Sequence, residues 1–143
     1  MRLWTKMAAV LLFVPFIASA QFRDLDTAMS NLNRGFGSGD VQAIVAGIGD
    51  GEKVRLQFPG LASQDGFFGR DQASLLLDGM FNKVQPGGFE PKNIKRGNPE
   101  GQYHITASWS ITVGGKAETR DLYITLKSAG DHWVIASVQS ASR

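Results

Sequence analysis

The order of the hydrophobic patterns constrains the fold of this chain more than any other feature. Three segments with helical periodicity come first, with one short alternating strand among them, and three long alternating strands close the chain. Helices that precede a run of antiparallel strands are typical of an α+β domain, in which the helices cover one face of the sheet. The sequence therefore predicts N-terminal helices packed on a curved antiparallel sheet of about four to five strands.

The first twenty residues have the three parts of a secretory signal peptide. Arg2 and Lys6 form a basic start, residues 7–17 form an apolar run, and residues 18–20, Ala-Ser-Ala, offer small side chains for cleavage. A permanent membrane anchor is the alternative, but the run is shorter than the about 20 residues that a spanning helix needs. We therefore expect cleavage before Gln21 and an exported protein, periplasmic or secreted, without a stable membrane anchor.

The mature chain, residues 21–143, has the length of a single domain with one core. The sequence contains no cysteine, which excludes both a disulfide and a lipid-modified cysteine. The signal peptide holds two of the 15 basic residues, which leaves 13 against 13 acidic residues. A nucleic-acid-binding protein needs a basic stripe, and the cluster of Lys92, Lys95 and Arg96 is better explained as protection of a strand edge. We therefore expect no nucleic-acid partner.

Apolar residues at helical spacing predict three helices. The first is expected to begin at Asp24 or Asp26 and to end at Gly35 and Gly37. The third is expected to end at residues 85–88, Gln-Pro-Gly-Gly. The three apolar stripes are Leu25, Ala28, Met29, Leu32 and Phe36; Val41, Ile44, Val45 and Ile48; and Ala73, Leu76, Leu77, Met80, Phe81 and Val84.

Two extended segments accompany these helices. Residues 54–58 alternate between apolar and polar side chains and predict a short strand, followed by a loop at residues 61–69. Residues 89–96 are expected to be extended as well. Pro91 restricts this second segment to a sheet edge or a strand start, because proline donates no ladder hydrogen bond.

Alternation also predicts the register of the central hairpin. Apolar side chains occupy every second position of residues 103–113, and Gly114-Gly115 supplies a two-residue turn that tolerates positive φ at both positions. With this turn the apolar faces of the two strands coincide, whereas a three-residue loop would set apolar side chains against polar ones. The predicted pairs are Tyr103 with Leu126, Ile105 with Ile124, Ala107 with Leu122, and Trp109 with Arg120.

This register places Arg120 on the inward face beside Trp109, with Glu118 on the same side. A guanidinium above an indole contributes about 0.5–2 kcal/mol, so we expect a structural cation–π pair. The alternative is an arginine that holds an anion at the mouth of a pocket.

The last strand, residues 132–140, does not keep one period. Its large apolar residues, Trp133, Ile135 and Val138, do not all fall on the same phase of the alternation. Either both faces of this strand are covered or the strand contains a bulge.

Several motifs resemble a known superfamily. A third helix opened by residues 69–73, Gly-Arg-Asp-Gln-Ala, and a final strand with residues 130–135, Gly-Asp-His-Trp-Val-Ile, resemble the nuclear transport factor 2-like superfamily, whose fold is a cystatin-like cone. Residues 88–89, Gly-Phe, residues 96–97, Arg-Gly, and residues 120–127, Arg-Asp-Leu-Tyr-Ile-Thr-Leu-Lys, more closely resemble domain of unknown function 4783, an uncharacterised family of small exported bacterial proteins. The resemblance covers nearly the whole mature chain and implies the fold. It implies no activity, because the superfamily includes isomerases, dehydratases and many non-catalytic binders.

The leading hypothesis for the function is non-catalytic binding. An apolar inward face that carries one charge is typical of a pocket for a small apolar or amphipathic ligand. We expect Phe81, Trp109, Ile111 and Arg120 to line the open end of the cone, and a protein partner is the other ligand that we consider. Large side chains such as Trp109 and Phe81 would alternatively fill the cone completely.

Two further functions stay open. An enzyme of the isomerase or dehydratase type, which the resemblance allows, would need an acid or base in the cone. The predicted register puts His104 and Asp121 on the outer face, and Asp65 is explained as a turn residue. We therefore assign no catalytic residue, and with two histidines and no cysteine we expect no metal or cofactor. The third hypothesis is an interaction module that forms a homodimer through the outer sheet face around Tyr123.

Overall fold

The described part of the chain folds into three helices and one six-stranded sheet. The structure, a computed structural model, describes residues 21–97 and 101–142, so the predicted signal peptide lies outside the described residues. In this part of the chain no helix is both long and apolar enough to cross a membrane. The elements are α1 (Leu25–Ser38), α2 (Val41–Val45), β1 (Val54–Gln57), β2 (Gly66–Phe68), α3 (Arg70–Lys83), β3 (Val84–Arg96), β4 (Gln102–Val113), β5 (Lys116–Ala129) and β6 (His132–Ser142).

The strands follow the order β2-β1-β6-β5-β4-β3 across the sheet. β1 pairs with β6 in parallel, and every other pair of neighbours is antiparallel. The predicted α+β class, with helices packed on a mostly antiparallel sheet, is confirmed. The sheet has more strands than predicted because β2 lies within the segment expected to be a loop, where Phe68 pairs with Val54 and Gly66 with Leu56.

α1 begins where the sequence predicts and ends later. The Asp24 carboxylate accepts a hydrogen bond from the Thr27 amide at 2.7 Å, and the backbone and side-chain bonds from Thr27 lower the pKa of Asp24. The predicted end at Gly35 and Gly37 is wrong, because both residues lie within the helix. The helix ends at Gly39, whose φ of 80° is the left-handed conformation of a C-terminal cap.

α1 continues through Gly35 because this glycine lets two helices approach each other. A Cβ at Gly35 would overlap the side chain of Ile44 on α2. Both residues are buried. Glycine at this position therefore serves helix packing and does not terminate the helix.

α3 ends at Lys83, directly before the predicted stop at residues 85–88, and the chain passes straight into β3. Val84 is already extended, with φ −109° and ψ 123°. The register of β3 against β4 shifts between Pro86 and Gly88, and such an irregularity accommodates residues that a regular ladder excludes. β3 is an edge strand of the sheet, as Pro91 predicts.

The predicted register of the central hairpin is confirmed. Gly114 and Gly115 have φ values of 59° and 79°, as a turn with two left-handed central residues requires. The observed partners are Tyr103 with Leu126, Ile105 with Ile124, Ala107 with Leu122, and Trp109 with Arg120. The apolar members of these pairs lie on the inner face, which packs against the helices.

β6 contains a bulge, which is one of the two predicted explanations for its irregular period. Thr125 of β5 pairs with Ser137, but the next residue, Leu126, pairs with Ile135. Ala136 is therefore the extra residue of the bulge, and it changes the phase of the alternation within the strand.

Two glycines inside helices test the packing of α1 on α2. We expect Gly35→Ala to lower the free energy of unfolding by about 1–3 kcal/mol, because Ile44 must shift to admit a Cβ. Gly79→Ala on α3 is the matched control, since a Cβ there meets no other atom within 4 Å. The control should raise the free energy of unfolding by about 0.5–1 kcal/mol through helix propensity. Urea denaturation measures both values, and a neutral or stabilising Gly35→Ala would contradict the close approach.

Candidate functional site

Trp109 lies on the inner face of the sheet and is completely enclosed, with 0% of its surface exposed. Its indole Nε1 donates a hydrogen bond to the carbonyl oxygen of Phe36 at 2.8 Å. Phe36 belongs to the last turn of α1, where carbonyl groups lack the amide donors of a continuing helix. The Asp40 amide, which would bond to this oxygen in a continuing helix, donates to Arg34 instead. Trp109 therefore supplies the partner that the end of α1 requires.

Four phenylalanine side chains surround or extend this contact. The ring centroids of Phe36, Phe58 and Phe81 lie 5.6, 6.1 and 6.3 Å from that of Trp109. Phe36 also stacks on Phe89 at 6.2 Å. Such edge-on and offset arrangements stabilise aromatic pairs beyond the area that they bury. We call these five residues the aromatic cluster, and it occupies the interior of the cone.

The structure brings the four predicted ligand-binding residues to this same region. Trp109, Ile111 and Arg120 are buried, whereas Phe81 is half-buried at the border of the aromatic cluster. A ligand that contacted Trp109 would have to displace packed rings. The role of the four residues in ligand binding therefore stays a prediction. The packing that we observe corresponds to the alternative, a cone filled by large side chains.

Arg120 is held by oxygen atoms at the rim of the inner face. Its Nη1 donates to the carbonyl oxygen of Pro59 at 2.6 Å, and Nη2 lies 3.4 Å from Oε1 of Glu118. Within the described residues, the predicted cation–π contact between Arg120 and Trp109 does not form. The carbonyl of Pro59 is within reach because it follows β1, and the arginine side chain crosses β6 to meet it.

Two buried polar atoms near this rim have no partner among the described residues. They are Nε of Arg120 and Oγ of Ser140. Ser140 pairs with Leu122, two residues along β5 from Arg120, so both side chains lie on the same face. Buried polar atoms are nearly always hydrogen-bonded, which makes this the place in the cone where a water molecule or a polar ligand group fits best.

The predicted acid and base candidates lie away from the core. Asp65 and His104 are exposed, and Asp121 lies on the outer face of β5 opposite Ser108. The buried polar and charged residues of the described chain are Asn31, Arg120 and Ser140, so this part of the protein buries no carboxylate. Within the same residues, no group of His, Asp or Glu side chains is arranged to hold a metal ion.

A groove with both apolar and polar lining residues lies between β2 and α3 on the described surface. It encloses about 440 Å³, which is within the range of small-molecule sites. Phe67 is 64% exposed and Leu75 is 73% exposed. We call this feature the β2 groove, and its lining residues are Ser63, Gln64, Phe67, Phe68, Gln72, Leu75 and Leu76. None of these lining side chains carries a charge.

The sequence contained a signal for the β2 groove that the helical periodicity did not identify. Leu75 lies on α3 but is absent from the predicted apolar stripe of that helix. Asp71 and Asp78 lie one turn before and one turn after Leu75, on the same exposed face. An exposed apolar residue on a solvated helical face becomes informative when a second one lies near it, as Phe67 does on the other wall of the groove.

A smaller polar cleft of about 220 Å³ lies beside the start of α3. Arg70 crosses it, with Nη1 2.8 Å from Oδ1 of Asp50 and Nη2 donating to the carbonyl oxygen of Ile48 at 2.5 Å. Glu52, which also lines the cleft, lies 3.0 Å from Nζ of Lys127. Arg70, Asp50 and Glu52 therefore each have a partner of opposite charge, and Arg70 anchors α3 to the loop before β1.

Comparison with solved structures identifies the fold. The chain is similar to a protein of the domain of unknown function 4783 (DUF4783) family from Bacteroides ovatus, with a TM-score of 0.64, 16% identity, and coverage of 80% of this chain and 94% of that chain. A second protein of that family, from Bacteroides uniformis, gives a TM-score of 0.65 at 13% identity, with coverage of 80% and 95%. A hypothetical protein with a ketosteroid isomerase-like fold from Catenulispora acidiphila, solved in complex with trimethylamine, gives 0.60 at 12% identity, with coverage of 80% and 83%.

These likenesses confirm the resemblance predicted from the sequence at the level of the fold. The class is therefore an α+β domain with the nuclear transport factor 2-like fold, and its structural neighbours include DUF4783 proteins. No model of a protein family matches the chain, and no curated protein matches it in sequence. At identities this low the neighbours describe the architecture and leave the activity undefined.

Because Trp109 is enclosed and hydrogen-bonded, its substitution should destabilise the fold more than that of Trp133. We expect Trp109→Phe to lower the free energy of unfolding by about 1–3 kcal/mol more than Trp133→Phe, because the carbonyl of Phe36 loses its donor within the core. Trp133 is the matched control, since it is half-buried on β6 and its ring contacts Tyr103. Urea denaturation of both variants measures the difference. Equal losses in the free energy of unfolding would show that the indole hydrogen bond of Trp109 does not stabilise the fold.

Proposed function

We propose that this chain is an exported, non-catalytic binding protein that recognises another polypeptide at the β2 groove. The observation that carries this proposal is the exposure of two large apolar side chains, Phe67 and Leu75, on the walls of one groove. Scattered single apolar residues are normal on protein surfaces, whereas a contiguous apolar patch with a polar rim is typical of an interaction site.

The chemistry of the inner face supports a role without catalysis. The aromatic cluster occupies the cone, and Trp109 uses its one donor to bond the end of α1. An isomerase or dehydratase of this fold would need a carboxylate or imidazole beside its substrate. Of the three titratable candidates, Asp65 and His104 are exposed to solvent, and Asp121 lies on the outer face of the sheet.

The shape of the β2 groove favours a polypeptide over a small molecule. Sites for small molecules bury most of the ligand surface in a concave pocket. Here the two main apolar walls, Phe67 and Leu75, are themselves mostly in water, so the groove covers only one side of its occupant. A chain that continues beyond the groove in both directions gains further contacts, which a small molecule does not.

A second candidate function is the binding of a small amphipathic acid at the end of the cone, near Phe81, Trp109, Ile111 and Arg120. The unpartnered Nε of Arg120 and Oγ of Ser140 favour it. A carboxylate placed between them would satisfy both atoms. Native mass spectrometry of the protein purified from its exported fraction tests this candidate. A small molecule that is bound by the wild type and lost in Arg120→Gln would favour the cone over the groove, and an empty protein would count against the cone.

A homodimer through the outer sheet face is the third candidate, and the exposure of Tyr123 in the middle of β5 favours it. Tyr123 lies between Thr106 of β4 and Gln139 of β6 in the ladder, so its ring stands on a polar surface. Sedimentation tests the dimer directly. A dimer that Tyr123→Lys dissociates would support it, and a monomer at every concentration would remove it.

A random peptide library displayed on phage tests the binding of a polypeptide. We expect the mature protein to select peptides whose affinity falls at least about tenfold in the double variant Phe67→Ser/Leu75→Ser, because the apolar anchors of a binding site carry most of its energy. Ile94→Ser is the matched control. Ile94 is an exposed apolar residue on the opposite edge strand, β3, and lies outside the groove. Selected peptides that bind the double variant as tightly as the wild type would overturn the proposed function.

A further inference from the structure

The two edges of the sheet differ in their protection against pairing with another chain. β3 forms one edge and carries Pro86 and Pro91, the basic residues Lys92 and Lys95, and two shifts of register. Prolines, lysines and bulges are devices that prevent edge strands from pairing. β2 forms the other edge, and its sequence, Gly66-Phe67-Phe68, contains none of them. On the side away from β1, β2 has no neighbouring strand among the described residues.

The β2 groove follows this unprotected edge. Successive side chains of a strand point to opposite faces of the sheet. Phe67 pairs with Arg55 and therefore projects to the outer face, whereas Phe68 pairs with Val54 and projects toward the core. A groove that contacts both phenylalanines must run along the edge of the strand between its two faces. Leu75 and Leu76 of α3 form the opposite wall.

Three carboxylates lie close to the groove in the sequence. Asp65 precedes β2, and Asp71 and Asp78 flank Leu75 on α3. None of these three carboxylates forms an ion pair with another described residue. The nearby cations differ in their partners. Arg70 pairs with Asp50, Arg55 lies opposite Phe67 and donates to Gln57, and Lys53 lines a second cleft together with Asp71.

We propose that an extended segment of a partner protein adds to β2 as a seventh strand and places an apolar side chain against Leu75, with basic side chains facing Asp71 and Asp78. This inference rests on the proposed function and specifies how the β2 groove binds. Addition of a strand draws affinity from backbone hydrogen bonds, while pockets for alternate side chains supply specificity. The uncharged lining selects the apolar residue, and the acidic flanks select the charge on either side of it.

The spacing of the two aspartates on α3 sets the spacing of the basic residues. Asp71 and Asp78 are seven residues apart, which corresponds to roughly 10 Å along a helix. An extended chain covers this distance in about three to four residues. For a segment that runs alongside α3, two Lys or Arg residues on one face must be an even number of residues apart. We therefore place them about four residues apart, with one apolar residue on the same face between them.

A blocked synthetic peptide, acetyl-Thr-Lys-Thr-Leu-Thr-Lys-Thr-amide, is the probe for this arrangement. Its lysines and its leucine lie on one face when the chain is extended. We expect the peptide to shift the amide resonances of β2 and of the residues around Leu75 in the spectrum of the mature protein. A probe that leaves these resonances unchanged at millimolar concentration overturns the inference, while the displayed peptides decide the proposed function independently.

Methylation of single backbone nitrogens of the probe distinguishes strand addition from binding by side chains alone. In an added strand only every second residue turns its amide toward the neighbouring strand. N-methylation of the central leucine and of the threonine beside it should therefore have unequal effects: one lowers the affinity at least about tenfold, and the other changes it less than about threefold. Equal effects overturn strand addition. The proposed function would still stand in that case if Leu75→Ser weakened the displayed peptides.

Substitution of the two aspartates on α3 tests whether their charges attract the basic residues of the probe. We expect Asp71→Asn/Asp78→Asn to weaken the probe by about threefold to tenfold, and the loss to shrink in high salt. Asp26→Asn, an exposed carboxylate on α1, is the matched control and should leave the affinity unchanged. A probe with glutamate in place of both lysines should bind more weakly still. Equal binding of the lysine and glutamate probes overturns the assignment of basic flanks.

Discussion

The hydrogen bond from the indole of Trp109 to the carbonyl oxygen of Phe36 joins the middle of the sheet to the end of α1. The bond can form because α1 continues past Gly35, which brings Phe36 over β4 and sets the helix against Ile44 of α2. The aromatic cluster then packs around the indole and occupies the space that an open cone would offer to a ligand. The one polar atom of the indole is hydrogen-bonded. Burial of Trp109 therefore does not carry the free-energy cost of an unpaired donor.

Because side chains fill the interior, the candidate binding sites lie at the surface of the domain and at the rim of the cone. At the rim, Arg120 and Ser140 retain two unpartnered atoms, which keeps the binding of a small acid as a second candidate. At the surface, the sheet protects one edge and leaves the other free beside an apolar groove. Exposed apolar side chains and nearby carboxylates meet at the sheet edge formed by β2, and our proposal of an extended occupant with an apolar centre and basic flanks rests on them.

The sequence predicts the parts of this structure that depend on alternation. The pairing of Trp109 with Arg120 follows from the Gly114-Gly115 turn and the two-residue period, because any other register would turn apolar side chains to water. The bulge in β6 was one of two predicted explanations, and the cap at Asp24 follows from local chemistry. The strand count, by contrast, misses β2, because a three-residue strand carries too short a pattern to recognise.

Elements that depend on tertiary contacts were not predictable in this way. Gly35 resembles a helix terminator, and only its contact with Ile44 explains why the helix continues. Residues 85–88 follow the end of α3 as predicted, but only their pairing with β4 explains why they form an edge strand. Similarly, the burial of Trp109 and the exposure of Leu75 depend on how far the helices cover the sheet, which a periodic pattern does not encode.

Amide hydrogen exchange of the mature protein, with and without the tightest peptide selected from the displayed library, tests the central claim most directly. Binding at the unprotected edge predicts slower exchange at the outward-facing amides of β2 and no change around Trp109. Slower exchange confined to the strand ends around Trp109 and Arg120, with β2 unchanged, would place the site in the cone and contradict the account.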